Sequence, residues 1–446
     1  MRTTLLLAGL VLCSGFAASA QTIGLEEVRA LALANSRSLA KYNLAVMSTL
    51  RDERARVFST LPSLSLGANA GVNLWNAQNV PPAASPYDTF SSGANVSVSQ
   101  KIFEGGRTLI QKAINEIASE SARKDALAEY FNVLDSADNA YYAVLEAAAV
   151  LEAEESSLET ARTSLAIAEV RQSTGMINRG DYLKAMAEKE TRENYRNQAR
   201  RGLTLNMVKL KALTGLSDLP ALRHIDLSGY EELIARFGKI SDSEADALYA
   251  ELWKAVAAAN PSLAKARLAG RQAENNLSMA QRAYFPSLSA SFSTGLTYST
   301  ANRMERSGGR LSLNLSVPLD HWATANNIEK SRIARDSAAL DYASAEVNLQ
   351  TELQSTLLNV FSYAGSVLHS RLSLEYSQRN FEFVMERYRL SLSSVTDLNE
   401  ASTLLINSRN SLITASYGFL QSLSKLRSLG TFMDEERLIT LLKGEQ

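Results

Sequence analysis

Residues 62–75 read PSLSLGANAGVNLW, and residues 286–298 read PSLSASFSTGLTY. Both stretches alternate between apolar and small polar residues, which is the period of a β-strand. Residues 94–98 and 311–317 alternate in the same way, so the sequence predicts four amphipathic strands. An apolar face opposite a face of serine, asparagine and glycine suits a wall between lipid and water. The alternative is a soluble sheet or sandwich, whose apolar face would need a core to pack against.

The strand pattern belongs to a longer internal repeat. SLAK at 38–41 recurs at 262–265, and PSLS at 62–65 recurs at 286–289, both 224 positions later. Beyond the strands the offset falls to 216, because the second copy is eight residues shorter in the proline-containing loop that spans 76–87 in the first copy. Shortening of a loop while the helices and strands around it are kept is typical of variation at a protein surface. We therefore interpret the chain as one unit present twice.

This repeat predicts the organisation of the chain. It gives a signal peptide at 1–20, a first repeat at 21–215, an inter-repeat connection at 216–245, a second repeat at 246–430 and a C-terminal tail at 431–446. Each repeat contains a helical segment, two strands, a long helical segment, a turn and a further helix. The predicted helical segments are 24–59, 106–173 and 182–213, then 246–283, 323–390 and 398–428. A helix of about 68 residues measures roughly 100 Å, which two shorter helices would match end to end.

The first twenty residues resemble a secretory signal peptide. They hold a single Arg, an almost wholly apolar run at 5–16 and a final Ala-Ser-Ala. Cys13, the only cysteine, lies in this run, and Leu12 before it argues against lipidation, which favours a small residue there. Cleavage after residue 20 would leave a mature chain without cysteine, exported from the cytoplasm of a bacterium.

Composition and motifs exclude several classes of function. The mature chain would carry 45 basic and 47 acidic side chains, so it offers no broad attraction to nucleic acid. The Ser-x-x-Lys matches at 38–41, 262–265 and 422–425 fall in helical pattern without the partner motifs of a hydrolase. His224, His321 and His369 lack metal-ligand spacing, and no glycine loop would hold a phosphate. The sequence therefore predicts no enzyme, no cofactor and no metal site.

The number of predicted strands indicates that the protein must oligomerise if these strands cross a membrane. No later stretch has the roughly 18 consecutive apolar residues of a membrane-spanning helix, so any spanning element must be β. Four strands cannot close a membrane barrel, which needs about eight or more. Two chains would supply eight strands and three would supply twelve, and the residues alone do not choose between them. The competing interpretation is a soluble periplasmic helical-hairpin adaptor or scaffold with a small sheet.

Aromatic residues cluster at the predicted strand ends, where a membrane-interface girdle would lie. They are Trp75, Phe90, Phe103, Tyr284, Phe285, Tyr298 and Trp322. In a soluble sandwich the same residues would be core.

The duplicated PSLS starts, IFEGGR at 102–107, the turn at 175–185 and the segment at 388–401 carry a family resemblance. In their order and doubling they resemble the TolC-type outer-membrane efflux proteins over essentially the whole mature chain. The resemblance implies a mainly α protein with membrane β structure, whose trimer forms a 12-stranded transmembrane β-barrel joined to a long α-helical periplasmic tunnel. It implies the exit duct of a tripartite efflux or type I secretion system in the bacterial outer membrane. The implied partners are outer-membrane lipid, a periplasmic adaptor (membrane fusion) protein and an inner-membrane RND, ABC or MFS transporter.

The resemblance also implies a gate at the periplasmic turns between helices. In this family a Tyr and an Arg of the second-copy turn tether an Asp of the first-copy turn, and acidic rings narrow the pore. Tyr388 matches the tethering Tyr and Asp181 its Asp partner. Asp397 and Glu400 match the acidic rings, with Glu in place of the usual Asp at the second. The tethering Arg falls on Ser393, which predicts a less firmly latched closed state.

Three arginines are candidates to replace the missing latch residue: Arg179, Arg387 and Arg389. Ordinary structural roles compete with gating for the other positions. Asp181 could be a helix N-cap, and residues 397–400 resemble a capping box. Tyr388 could simply pack on a helix face.

Overall fold

A computed structural model describes residues 22–58, 60–72, 90–299, 303–319, 321–433 and 435–443. The predicted signal peptide, Cys13 and Trp75 lie outside these residues. The chain divides into two compact units. The first comprises Met1–Arg37, Tyr130–Ala257 and Thr351–Gln446, and the second comprises Ser38–Glu129 and Ala258–Gln350.

Most of the described chain is helical. In order, the elements begin with α1 (Leu25–Asn35), α2 (Arg37–Phe58), β1 (Ser63–Val72), β2 (Phe90–Phe103), α3 (Arg107–Ser173), α4 (Arg179–Thr214) and α5 (Glu231–Phe237). They continue with α6 (Asp242–Ala259), α7 (Pro261–Gln281), β3 (Ser287–Ser299), β4 (Arg303–Ser316), α8 (His321–Arg389), α9 (Val395–Gly430) and α10 (Glu435–Lys443). None of the described helices has an apolar stretch long enough to cross a membrane.

Two predicted helical segments are each broken once. The segment at 24–59 is interrupted at Ser36, where the Asn35 side chain donates to the carbonyl of Leu213 at 3.2 Å. The segment at 246–283 is interrupted at Asn260, whose side chain accepts from two amides of the next turn, and Pro261 follows at the first helical position. A capping Asn before Pro starts a new helix, because the proline has no amide to donate.

The four strands form one antiparallel sheet in the order β1-β2-β3-β4. The register pairs apolar with apolar and serine with serine: Leu64 lies opposite Val98, and Ser65 lies opposite Ser97. The hydroxyls of that serine pair are 2.6 Å apart. The alternation predicted from the sequence therefore gives the sheet one apolar face and one hydroxyl-rich face.

The apolar face of the sheet is uncovered within this chain. Leu64 and Leu66 on β1 are 73% and 79% exposed, and Leu311 and Leu313 on β4 are 76% and 69% exposed. A soluble sandwich would bury such residues. An exposed apolar face of this kind marks an interaction surface.

The first unit has a conventional apolar core. Phe131, Leu134, Tyr141 and Leu145 follow helical spacing along α3 and are all buried. Val28 of α1 packs in one cluster with Tyr141 and Leu145. The Tyr141 hydroxyl donates to the carbonyl of Arg223 at 2.5 Å, which satisfies its polar end inside the core.

A buried charge cluster joins three helices of the first unit. Asp138 of α3 is fully buried and accepts from Arg29 of α1 at 2.6 and 2.8 Å. Arg427 and Ser424 of α9 donate to the same carboxylate at 2.8 and 2.6 Å. A buried carboxylate with this many charge-assisted donors fixes the register of the helices that supply them.

Candidate functional site

Two turns of matching geometry join the long helices of the first unit, at 174–178 between α3 and α4 and at 390–394 between α8 and α9. In both turns an amide donates to the carbonyl five residues earlier at 2.8 Å. Gly175 and Ser391 adopt the left-handed conformation that such helix ends require, with φ of 73° and 63°. At Ser391 the side chain makes this conformation costly, so the second turn stores backbone strain.

Asp181 lies in the first turn of α4. It is not the N-cap, which is Asn178, but the third helical residue, and its amide donates to the Asn178 side chain at 2.9 Å. Asn178 donates in return to the Asp181 carboxylate at 3.0 Å, and Lys184 approaches that carboxylate at 3.4 Å. Lys184 also donates to Thr396 at 3.3 Å, so the starts of α4 and α9 are linked.

Asp397 occupies the equivalent position in α9. The capping box runs from Ser394 to Asp397 and not over 397–400, because the last residue outside the helix is Ser394. The Ser394 amide and the Ser393 hydroxyl each donate to the carboxylate at 2.9 Å. These bonds, the Ser394 amide first, lower the pKa of Asp397 below its ordinary 3.8. The Asp397 carboxylate is therefore ionised at neutral pH. Asp397 is exposed to solvent, and so is Glu400, three residues further along α9.

Tyr388 lies in a small core behind the two turns. It is 1% exposed and packs with Ala168 of α3, Ala185 of α4 and Leu398 of α9. Its hydroxyl donates to the carbonyl of Ser164 at 3.4 Å. In the described part of the chain it makes no hydrogen bond to Asp181, so the tether between these two residues stays a prediction.

Arg171, which sequence reasoning missed, is the cation that binds Tyr388. Its guanidinium lies 4.5 Å from the centre of the tyrosine ring and donates to the Tyr388 carbonyl. Arg171 is only 7% exposed, two residues before the end of α3. Ser164, Ala168 and Arg171 are spaced by four and three positions, which places them on one helix face. Nothing in the sequence links that face to Tyr388.

The three arginines proposed from sequence make other contacts. Arg387 donates to the carbonyl of Leu392 at 3.0 Å and stabilises its own turn. Arg389 lies 3.8 Å from Glu386, and Arg179 is exposed at the first position of α4. Among the described contacts, none of the three reaches Asp181 or Tyr388.

Four of the predicted interface aromatics lie at or beside the ends of the described strands, namely Phe90, Phe103, Phe285 and Tyr298. Phe90 and Tyr298 meet at one end of the sheet, with ring centres 6.3 Å apart. Phe103 and Phe285 flank the opposite end and are 47% and 55% exposed. Trp322, 89% exposed, is the second residue of α8.

Comparison with known proteins identifies the family. A sequence profile described as "Outer membrane efflux protein" matches residues 28–216 and 252–430. The two matched segments together cover most of the chain. The chain belongs to the outer membrane efflux protein family.

Individual relatives agree with this assignment. Outer membrane protein TolC of Escherichia coli K12 is 23% identical over 449 residues, which cover 95% of this chain and 86% of that protein. The outer membrane channel CmeC of Campylobacter jejuni has a TM-score of 0.75 at 17% identity, covering 94% of this chain and 89% of that one. The outer membrane protein VceC of Vibrio cholerae has a TM-score of 0.73 at 15% identity, covering 91% and 96%. At these identities the two structures establish the fold.

The family decides between the interpretations left open by the sequence. The chain is an outer-membrane exit duct for efflux and not a soluble adaptor, with its helical part in the periplasm. It is a transport duct and not an enzyme. Channels of this class are homotrimers that work with a periplasmic adaptor and an inner-membrane transporter.

Proposed function

We propose that three copies of this chain close a 12-stranded barrel in the outer membrane and continue as an α-helical tunnel in the periplasm. The uncovered apolar face of the sheet, which would face lipid, supports this proposal. So does the strand order, which leaves β1 and β4 as the two edges of the sheet. Because an open edge is excluded in lipid, β1 of one chain would pair with β4 of the next.

The proposed architecture rests on two copies of one unit. The copies are residues 21–215 and 246–430, joined by the connection 216–245, with a signal peptide at 1–20 and a tail at 431–446. The order of elements is consistent with this division: helices, two strands, a long helix and a further helix occur before residue 216 and again after residue 241.

The turns 174–178 and 390–394 are the proposed periplasmic gate. In a trimer the carboxylates of Asp181, Asp397 and Glu400 would repeat three times around the pore axis. The hydrogen bonds that keep Asp397 ionised favour a ring that attracts cations. The hydrogen bonds to Asp397 are the single observation on which the proposed gate rests, because a neutral side chain at 397 could not attract cations.

The proposed latch of the closed gate is Arg171 over Tyr388. The family's tethering Arg is replaced by Ser393, whose hydroxyl instead binds Asp397. Arg171 of the first repeat makes a cation–π contact with Tyr388 of the second repeat. Both side chains are buried, and burial strengthens such a contact. The latch would therefore join the two copies of the unit across the gate core.

The proposed partners are a periplasmic adaptor that docks on the helical part and an inner-membrane transporter of the RND, ABC or MFS class. Outer-membrane lipid would surround the strands.

Single-channel recording of the protein reconstituted in planar bilayers tests the gate. The wild type should select cations, and the double variant Asp397→Ala, Glu400→Ala should lose most of this selectivity. The matched control is Glu329→Ala, Asp336→Ala, which removes two exposed carboxylates of α8 away from the turns. Unchanged ion selectivity in the variant Asp397→Ala, Glu400→Ala would overturn the proposed acidic constriction. A wild-type protein that produces no conductance steps would overturn the proposed channel itself.

A further inference from the structure

Arg310 lies on the hydroxyl-rich face of the sheet, at the end of a row of serines. It belongs to β4 and pairs with Ser293 of β3. Ser293 pairs with Ser97 of β2, which in turn pairs with Ser65 of β1. Directly paired residues of adjacent strands project from the same face of a sheet. The row therefore crosses all four strands, and its only charge is that of Arg310.

The two rows beside this one are uncharged. The row on the side of α8 consists of Ser63, Ser99, Ser291 and Ser312. The row on the other side includes Gly67, Asn95 and Gly295. Small side chains on both sides leave a long cationic side chain free to extend away from the sheet.

No neighbouring acid neutralises the Arg310 guanidinium. Arg310 is exposed, and it has no salt bridge within the part of the chain that the structure describes. Lys101, on the same face, is paired with Glu104 at 2.7 Å. Glu305 lies opposite Thr297, roughly 13 Å from the row of Arg310 at the rise of a strand. That separation exceeds the roughly 8 Å over which exposed charges act at physiological ionic strength.

A β-bulge immediately precedes Arg310. Ser293 pairs with Arg310 and Gly295 pairs with Ser307, so residues 308 and 309 of β4 lie opposite position 294. Both bulge residues are glycines, and a Cβ on Gly308 would meet no atom within 4 Å. A bulge of this kind re-aims the side chain beside it. The guanidinium is therefore presented next to open space and is accessible to a solute.

We propose that Arg310, repeated three times around the lumen of the barrel, forms a ring that binds polyvalent oxyanions. The inference rests on the proposed barrel, in which the hydroxyl-rich face lines the lumen because the apolar face meets lipid. Guanidinium groups bind carboxylates and phosphates through paired N–H donors, and rings of Arg or Lys select anions in pores.

The ring gives the duct a second charged site of opposite sign. Arg310 belongs to the second unit of the fold, whereas Asp181, Asp397 and Glu400 of the proposed gate belong to the first. Cations are attracted at the gate, and anionic solutes are attracted inside the barrel.

Single-channel recording in planar bilayers, with sodium tripolyphosphate as the probe, tests the ring. Tripolyphosphate should block the wild-type current, and the block should weaken as the KCl concentration rises, because salt screens exposed charges. Arg310→Gln should raise the half-blocking concentration roughly tenfold, since it removes three exposed cations from one ring. Arg310→Lys keeps the charge and should keep the block. The double variant Arg310→Ser, Ser312→Arg moves the cation to the adjacent row of the same face and should restore most of the block.

The matched control is Arg123→Gln, which removes an exposed cation of α3 outside the sheet. The ring is overturned if tripolyphosphate leaves the wild-type current unchanged, or if Arg310→Gln is blocked as the wild type is. An equal shift in Arg123→Gln, or an equal block by the uncharged maltotriose, would also overturn it. Conductance before the probe is added reports on the channel itself, so failure of the ring is distinguished from failure of the barrel. The block should persist in Asp397→Ala, Glu400→Ala, which separates the ring from the gate.

Discussion

The contact between Arg171 and Tyr388 makes a quantitative prediction about the gate. Arg171→Met removes the charge and keeps most of the aliphatic packing of the side chain. The guanidinium lies 4.5 Å from the ring centre and is 7% exposed, so the lost cation–π interaction is worth about 2 kcal/mol. If opening breaks this contact, the closed state loses that stabilisation and the ratio of open to closed gates rises roughly thirtyfold.

The assay is the resting current through reconstituted channels in a planar bilayer. Arg171→Met should raise the time spent at high conductance, and Tyr388→Leu should do the same. Tyr388→Phe keeps the ring and should lie close to the wild type, because it removes only the long hydrogen bond to the Ser164 carbonyl. The double variant Arg171→Met, Tyr388→Leu should be little worse than Arg171→Met alone. Both substitutions remove the cation–π contact, and only Arg171→Met also removes the hydrogen bond to the Tyr388 carbonyl.

Arg179→Met is the control for this series, because Arg179 is exposed at the neighbouring turn. The reasoning is refuted if Arg171→Met conducts as the wild type does, or if Arg179→Met opens the channel equally. Thermal unfolding of each variant separates a weakened latch from a weakened protein.

Three further predictions concern other parts of the first unit. Asp138→Asn removes the carboxylate that the buried Arg29 and Arg427 share, and it should lower the free energy of unfolding by roughly 3–5 kcal/mol, seen as a large fall in Tm. The control Asp218→Asn changes a side chain that is 96% exposed and should leave Tm unchanged. Similar Tm values for the two variants would contradict the role of the buried charge cluster. Burial raises the pKa of Glu146 above its ordinary 4.5, so the ionised carboxylate destabilises the fold at neutral pH and the penalty disappears as pH falls below 4.5. Glu146→Gln should therefore raise Tm at pH 7 and not at pH 4, and a gain independent of pH would argue against this cause. Ser393→Arg restores the cation at the family's latch position and should lower the resting current, whereas an unchanged current would show that Arg171 alone sets the latch.

The sequence was most informative where a pattern is local. Alternation over 62–72 and 287–298 predicted both the strands and their two faces, because side chains on a strand point alternately to opposite sides. The long helices were predicted to within two residues, as α3 at 107–173 shows, since no proline interrupts them. The single helical segment predicted at 246–283 missed the break at Asn260, although an Asn followed by Pro is a local signal for a new helix start.

Contacts between distant parts of the chain could not be predicted in the same way. The break at Ser36 is accompanied by a bond from Asn35 to Leu213, which is 178 residues away. Arg171 and Tyr388 are 217 residues apart, and neither motif nor charge connects them in the sequence. The family pattern directed attention to position 393, where the Arg is missing, and not to the opposite helix that supplies the cation.

Inter-chain disulfide cross-linking of the sheet edges tests the trimeric barrel most directly. The only cysteine of the chain is Cys13, within the predicted signal peptide, so introduced cysteines can be read without background. Each double variant carries one substitution on β1 (Ser63→Cys, Ser65→Cys or Gly67→Cys) and one on β4 (Ser312→Cys, Asn314→Cys or Ser316→Cys). The variants are oxidised in outer membranes, and their products are separated by denaturing electrophoresis. We predict that at least one pair gives a ladder that ends at three chains, while cysteines at Ser97 and Ser293 on the inner strands give no inter-chain product. A ladder that ends at two chains or runs beyond three, or no inter-chain bond for any pair of edge positions, would contradict the account.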